Sequence, residues 1–111
     1  RTKLLTKPQT IVTKEFKEVL KLVKDLTSNN NSELYFVYLP IYTRYLNKYD
    51  LSSYDLVKKI TNELKIPFID LHEEIFEKED NPMSLFPFKY GHYNEQGYKK
   101  SAEIIYKLTK N

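Results

Sequence analysis

Residues 86–98 hold the side chains best suited to chemistry, because they include both glycines of the chain and one of its two histidines. His92 is the first candidate, since an unperturbed histidine exchanges protons closer to neutral pH than other side chains. Asn94 can cap a helix, so His92 stands just before a helix start, where backbone N–H groups lack helical partners. We interpret His92 as a general base that takes a proton from a nucleophile. The alternative is a loop histidine that bonds a backbone carbonyl.

Asp70 and His72 form a second group of candidates. Asp70 ends an apolar stretch and could orient His92, bind a substrate group or cap the helix that follows, and the sequence favours the cap. The Asp-x-His pair and the two glutamates after it could suggest a metal site. They lack the i, i+4 spacing that places two ligands on one helical face. We therefore expect His72 to lie at a solvated helix start, and we expect neither a metal nor a cofactor.

No serine considered as a nucleophile has the setting of an activated one. Such a serine lies at a strand-to-helix elbow between small residues. That setting is missing around each of the candidates, which are Ser52, Ser53, Ser84 and Ser101. The sequence therefore predicts that a nucleophile for His92 is supplied from outside this chain.

The two glycines are expected to serve the backbone around His92. Glycine adopts positive φ without steric cost, so Gly91 allows an unusual turn just before the histidine. Gly97 falls in the first turn of the predicted last helix, where a missing side chain lets another backbone approach closely. Both positions predict a tightly built loop at His92.

Apolar patterning predicts the elements that must position these residues. A helix begins at Lys14 after a cap at Thr13 and carries apolar residues at helical spacing. Two continuous apolar runs, 34–39 and 66–70, are typical of strands buried on both faces, and Pro40 ends the first. Pro40 and Asp70 therefore mark the ends of the two predicted strands.

Three further helical segments alternate with the strands. The first can be capped by Ser53 or Ser52, and its predicted buried stripe consists of Tyr54, Val57, Ile60 and Leu64. A short one covers 71–76, and the last follows Asn94. The predicted apolar stripe of the last helix consists of Tyr98, Ala102, Ile104, Ile105 and Leu108. Alternation of helices and strands predicts an α/β fold with a parallel sheet. In such sheets the ligand crevice lies beyond the carboxyl ends of the strands, so the loop of His92 should come to that edge.

Two strands are too few for a complete sheet. Two parallel strands leave both faces and both edges in need of cover. We predict one α/β domain over residues 1–111 that either forms the C-terminal part of a larger domain or takes strands from another chain.

Composition narrows the classes of partner. The net charge of +3 is spread along the chain without a basic cluster, which disfavours nucleic-acid binding. No apolar run approaches the ~20 residues of a membrane helix, and no N-terminal apolar segment resembles a signal peptide, so the compartment stays open. The absence of cysteine excludes disulfides and thiolate chemistry.

A tyrosine-rich loop supports a different, non-catalytic function. Tyr42, Tyr45 and Tyr49 surround Arg44 between the first strand and the next helix. These side chains could bind a carbohydrate or a protein partner by stacking and hydrogen bonding, as in a binding or assembly domain. A nucleotide-binding domain is disfavoured, because two glycines cannot build a glycine-rich phosphate loop.

The block Gly-His-Tyr-Asn-Glu-Gln-Gly-Tyr at residues 91–98 resembles the last conserved block of the SGNH (GDSL-type) hydrolases. The strand that ends at Pro40 and the strand that ends at Asp70 resemble strands in the second half of that family. The resemblance covers roughly residues 14–110. It implies a flavodoxin-like, three-layer α/β/α fold, incomplete in this chain, and serine ester hydrolysis or acyl transfer with His92 as the base.

The same resemblance sets expectations for the rest of the site. Lys89 stands where the family usually has an aspartate, so what orients His92 stays open: a backbone carbonyl, Asp70 or Asp80 could do so, or the site could work as a dyad. The Gly-Asp-Ser block and the oxyanion-hole residues are not in this sequence. The substrate would be a small-molecule, carbohydrate or lipid ester. We further expect substrate contacts from four residues, Tyr42, Arg44, Tyr90 and Asn94.

Overall fold

The computed structural model describes residues 14–88 and 91–110, which divide into two compact units. The helical unit comprises residues 14–34 and 51–66, and the sheet unit comprises residues 35–50, 67–88 and 91–110. The predicted cap Thr13 lies outside the described residues, as do Lys89 and Tyr90. The organisation of the whole chain as one domain stays a prediction.

The helical unit contains two helices, α1 (Lys14–Asn29) and α2 (Ser52–Glu63). Lys17 Nζ lies 2.9 Å from Glu63 Oε1, and Lys24 Nζ donates to the carbonyl oxygen of Leu64 at 2.6 Å. The second bond satisfies a carbonyl at the C-terminus of α2, where helical partners run out. Two lysines of α1 thus join it to the C-terminal end of α2.

The helix starts and faces of this unit differ in part from the sequence prediction. Helix α1 is amphipathic, yet none of its residues is buried. Its predicted start adjoins residues outside the described ones and stays a prediction. Helix α2 begins at Ser52 itself, and Leu51 occupies the cap position without a side-chain hydrogen bond. The predicted serine cap is therefore wrong. Ile60, a member of the predicted stripe of α2, is buried.

The sheet unit is built on two parallel strands, β1 (Phe36–Tyr38) and β2 (Phe68–Asp70). The parallel pairing confirms the prediction, with Phe36 opposite Phe68 and Tyr38 opposite Asp70. Each strand has only three residues, which is shorter than predicted. Strand β1 is half-buried rather than buried on both faces, because a two-stranded ladder has no strand with neighbours on both sides.

The core of the sheet unit lies around the short segments that follow β2. Helix α3 (Leu71–Glu74) is followed by two 3₁₀ turns, Phe76–Lys78 and Pro82–Leu85. A third 3₁₀ turn, Tyr42–Tyr45, follows β1. The buried residues of this core are Ile69, Leu71, Ile75, Phe76, Leu85, Phe86 and Tyr93. Aromatic rings thus fill much of the interior that supports the strand ends.

Helix α4 (Glu95–Thr109) buries a face that matches the predicted apolar stripe only in part, since Ile104 and Ile105 of that stripe pack half-buried against the core. Gly97 and Ser101 are its buried residues, whereas Tyr98 is half-exposed and Ala102 is exposed. A Cβ at Gly97 would lie 2.8 Å from the Cβ of Tyr93 and 3.0 Å from the carbonyl oxygen of Leu85. The absence of a side chain at Gly97 therefore lets α4 approach Tyr93 and Leu85 closely, and this close approach decides the orientation of the helix. The predicted role of Gly97 in close backbone approach is confirmed.

The described residues form a mixed helix and strand structure with one two-stranded parallel sheet, compatible with the α/β class. Within the two described ranges, no helix combines the length and apolar character needed to cross a bilayer.

Candidate functional site

His92 lies in an open groove at the carboxyl end of β1. The groove has a volume of about 210 Å³ and is lined by Leu39, Pro40, Ile41, Gly91, His92, Tyr93 and Tyr98. The His92 side chain is exposed, and no hydrogen bond or ion pair joins it to another residue of the described ranges. The imidazole is therefore open to a ligand from the groove side.

Tyr93 anchors the loop of His92 to this edge of the sheet. Its hydroxyl donates to the carbonyl oxygen of Pro40 at 2.8 Å, a buried bond. Its ring packs against Phe76 and Phe86, with centroid separations of 5.0 and 5.3 Å. A buried ring with a satisfied hydroxyl holds its backbone firmly. The prediction that this loop reaches the carboxyl end of a strand is confirmed.

Gly91 and Asn94 shape the backbone on either side of His92. Gly91 has a φ of +88°, the left-handed region that favours glycine, as predicted. The Oδ1 atom of Asn94 accepts from the N–H of Gly97 at 2.9 Å, and its Nδ2 donates to the carbonyl oxygen of Ser84 at 2.9 Å. Asn94 is thus the predicted cap of α4, and both ends of its amide hold the loop in place.

Asp70 caps helix α3, which is the role that the sequence favours. Its Oδ1 accepts from the backbone N–H groups of His72 at 3.0 Å and Glu73 at 3.4 Å, and the residue is only 5% exposed. Asp70 does not line the groove of His92. Its bonds to two helix N–H groups give Asp70 a structural role. The expectation that Asp70 also orients His92 stays a prediction.

The tyrosine-rich loop folds largely onto its own unit. The ring of Tyr42 meets Phe86 edge-on at 5.6 Å, and Tyr45 stacks on Phe76 at 5.6 Å. Arg44 donates through Nη1 to the hydroxyl of Tyr38 at 3.0 Å and lies over that ring. These internal contacts leave less of each ring for stacking with a ligand. The substrate contacts expected of Tyr42, Arg44 and Asn94 stay predictions, and Tyr90 lies outside the described residues.

His72 is not the solvated residue that the sequence predicts, and that prediction is wrong. Its Nδ1 lies 2.9 Å from the Tyr45 hydroxyl, the two rings stack at 5.6 Å, and the His72 side chain is only 19% exposed. Burial, followed by the positive charge of Arg44, lowers the pKa of His72. Burial likewise raises the pKa of Tyr45, so its hydroxyl stays protonated and can donate to a neutral imidazole.

The Tyr45–His72 contact joins residues 27 positions apart, so no local spacing reveals it. The Nε2 atom of His72 faces Glu77, whose Oε1 lies 3.9 Å away. The sequence contained one indication of this contact. His72 follows the end of the second predicted strand, and Tyr45 belongs to the tyrosine-rich loop at the same edge of the predicted sheet. Only the folded chain shows that the two side chains meet.

The described part of the chain offers no nucleophile in the groove of His92. None of the lining residues is a serine. Ser101 is buried, and its Oγ donates to the carbonyl oxygen of Gly97 at 2.8 Å. The Ser101 hydroxyl is therefore used in a hydrogen bond within α4, to the backbone carbonyl one turn earlier, as is common for serine inside helices.

Comparison with known proteins gives no match. No protein-family model matches the chain, and neither a curated protein nor a solved structure matches it.

Proposed function

We propose that this chain carries the general base of an ester-processing site of the SGNH (GDSL-type) hydrolase kind, with His92 as that base. One observation carries the proposal: His92 is exposed in a groove at the carboxyl end of a parallel strand. Ligand sites in parallel α/β sheets concentrate at that edge. The likeness of residues 91–98 to the last block of the family supports the same assignment.

In this proposal the nucleophilic serine comes from residues outside these 111. His92 takes the proton of that serine as its oxygen attacks the ester carbonyl, and it returns the proton to the departing alkoxide. The acyl group is then bound to the serine. Water, deprotonated by His92, or another alcohol releases the acyl group and regenerates the serine. Donors for the oxyanion belong to the same outside part.

The three-layer, flavodoxin-like fold is part of this proposal. Strands β1 and β2 would be neighbours within a larger parallel sheet whose remaining strands come from outside the chain. The half-burial of β1 supports this arrangement, because parallel strands are normally covered on both faces.

The test uses the protein as its natural gene encodes it, with whatever residues precede Arg1, assayed on nitrophenyl acetate. We expect His92→Ala to lower kcat by about 10²–10⁴-fold, the usual contribution of a general base. The matched control is His72→Gln, which changes the other histidine of the chain and should stay within a few-fold of the natural protein. Equal rates for the natural protein and His92→Ala would refute the role of His92.

A companion assay uses the 111-residue chain alone. Because none of the described groove residues can act as the serine nucleophile, we expect no turnover above the buffer rate. Hydrolysis by this chain that is lost in His92→Ala would contradict the claim that the nucleophile lies elsewhere.

A further inference from the structure

We infer that the groove beside His92 binds the acyl part of the ester, and that it selects a longer apolar chain over an acetyl group. The inference rests on the proposed function and names its substrate class. It follows from the chemistry of the groove walls, from the groove volume and from the position of His92 among the lining residues.

The walls are apolar and open to solvent. Leu39 is 51% exposed, Ile41 is 53% exposed and Tyr98 is 50% exposed, and Pro40 completes the wall. Large apolar side chains that converge on one exposed concavity are unusual outside binding sites. Covering such walls with hydrocarbon is favourable roughly in proportion to the apolar area removed from water.

The polar groups of the groove do not suit a sugar. No carboxylate, amide or ammonium side chain is among the described residues that line it. The carbonyl oxygen of Pro40 already accepts the Tyr93 hydroxyl. A sugar hydroxyl placed against these walls would lose bonds to water without replacing them, which is unfavourable. Hydrocarbon has no such loss, so the walls favour the acyl part of a substrate over a carbohydrate part.

The volume limits the length of that acyl chain. At about 210 Å³ the groove is smaller than the ~300–1,000 Å³ of sites that enclose drug-sized ligands. The groove is therefore suited to a short acyl chain, while the rest of the ester lies outside.

His92 and the apolar walls share one groove, which links binding to reaction. Leu39 and Ile41 line the same groove as His92 and its neighbours Gly91 and Tyr93. An acetyl group is too short to cover these walls, so it gains little from them. Each added methylene should raise kcat/KM by about two- to fourfold until the groove is filled, since full burial of one CH₂ corresponds to about fourfold.

The experiment measures kcat/KM of the natural full-length protein on nitrophenyl acetate, butyrate, hexanoate and octanoate. We expect the values to rise to hexanoate or octanoate. Ile41→Asn should flatten this profile to within about twofold, and Leu39→Asn should do the same. The matched control is Leu46→Asn, a residue 44% exposed in the same unit that does not line the groove, and it should keep the natural profile.

The outcomes separate this inference from the proposed function. If His92→Ala abolishes hydrolysis but acetate is the best substrate, the acyl inference is wrong and the role of His92 stands. The acyl inference is also wrong if Ile41→Asn and Leu46→Asn give the same profile. If His92→Ala has no effect on hydrolysis, the proposed function itself is wrong.

A binding measurement tests the groove without any hydrolysis. Methyl hexanoate and methyl acetate are titrated into the 111-residue chain, and amide NMR shifts of Gly91 and His92 are followed. We expect saturable shifts with the hexanoate at concentrations where the acetate gives none, and their loss in Ile41→Asn. Equal responses to the two esters would overturn the inference.

Discussion

Replacing Gly97 by alanine should destabilise the protein, although alanine is the better helix former. A Cβ at this position would lie 2.8 Å from the Cβ of Tyr93 and 3.0 Å from the carbonyl oxygen of Leu85. Neither atom is the end of a flexible side chain. Tyr93 is held by its bond to Pro40, and the Leu85 oxygen accepts the N–H of Asn94 at 2.8 Å. Relief of the clash must therefore move α4 or the loop of His92.

The magnitude follows from two opposing effects. Overpacking of a tight contact costs about 1–3 kcal/mol. The higher helix propensity of alanine offsets about 0.5–1 kcal/mol of that cost. We therefore expect Gly97→Ala to lower the free energy of unfolding by about 1–2 kcal/mol. With a typical urea slope of about 2 kcal/mol per molar, the midpoint of urea unfolding should fall by about 0.5–1 M.

The assay is urea unfolding followed by far-UV circular dichroism, with Ala102→Gly as the control. Ala102 is exposed in the same helix, so its replacement reports helix propensity alone and should cost about 1 kcal/mol. If propensity governed both sites, Gly97→Ala would stabilise the protein while Ala102→Gly destabilised it. A Gly97→Ala midpoint at or above that of the natural chain would refute the close-contact argument.

Two further predictions concern side chains at the same sheet edge. Tyr93→Phe should lower the free energy of unfolding by about 1–2 kcal/mol, because the buried carbonyl of Pro40 loses its donor; an unchanged urea midpoint would contradict this. The folded state holds the pKa of His72 below its usual value, so the unfolded chain binds more protons at mildly acid pH. The stability that neutral His72 contributes should therefore be fully present above the pKa of His72 in the unfolded chain, about 6.5. It should be lost as the pH falls through the lower pKa of His72 in the folded protein. In urea unfolding measured across that pH range, His72→Gln should weaken the dependence of the unfolding free energy on pH. An equal pH dependence in the natural protein and in His72→Gln would contradict this prediction.

Local patterns predicted two helix caps and the strand pairing correctly, because each depends on a few neighbouring residues, although the predicted serine cap of α2 was wrong. Asp70 and Asn94 both accept from helix N–H groups, as their positions before helices indicate. The two apolar runs pair in parallel, which follows from the helix between them. Strand length was overestimated, since the edges of a two-stranded ladder limit regular pairing.

Burial was harder to predict, because it depends on what packs against an element. The apolar stripe of α4 pointed to Tyr98 and Ala102, yet Gly97 and Ser101 are buried. Hydrophobic periodicity assigns no weight to a small residue that permits close contact. His72 was misjudged for a similar reason, since its burial depends on Tyr45, which is remote in sequence.

Neighbouring residues alone were enough to predict the helix caps Asn94 and Asp70 and the left-handed turn at Gly91. They were also enough to select His92 as the candidate base. These features rest on short-range chemistry: a side-chain oxygen near free N–H groups, or a residue without a Cβ. The alternation of helices and strands predicted that the loop of His92 reaches the strand ends, but the apolar groove around His92 came only from packing in the folded chain. That placement requires the ring and hydroxyl of Tyr93 to reach Pro40, 53 residues away, and no local pattern specifies such a contact.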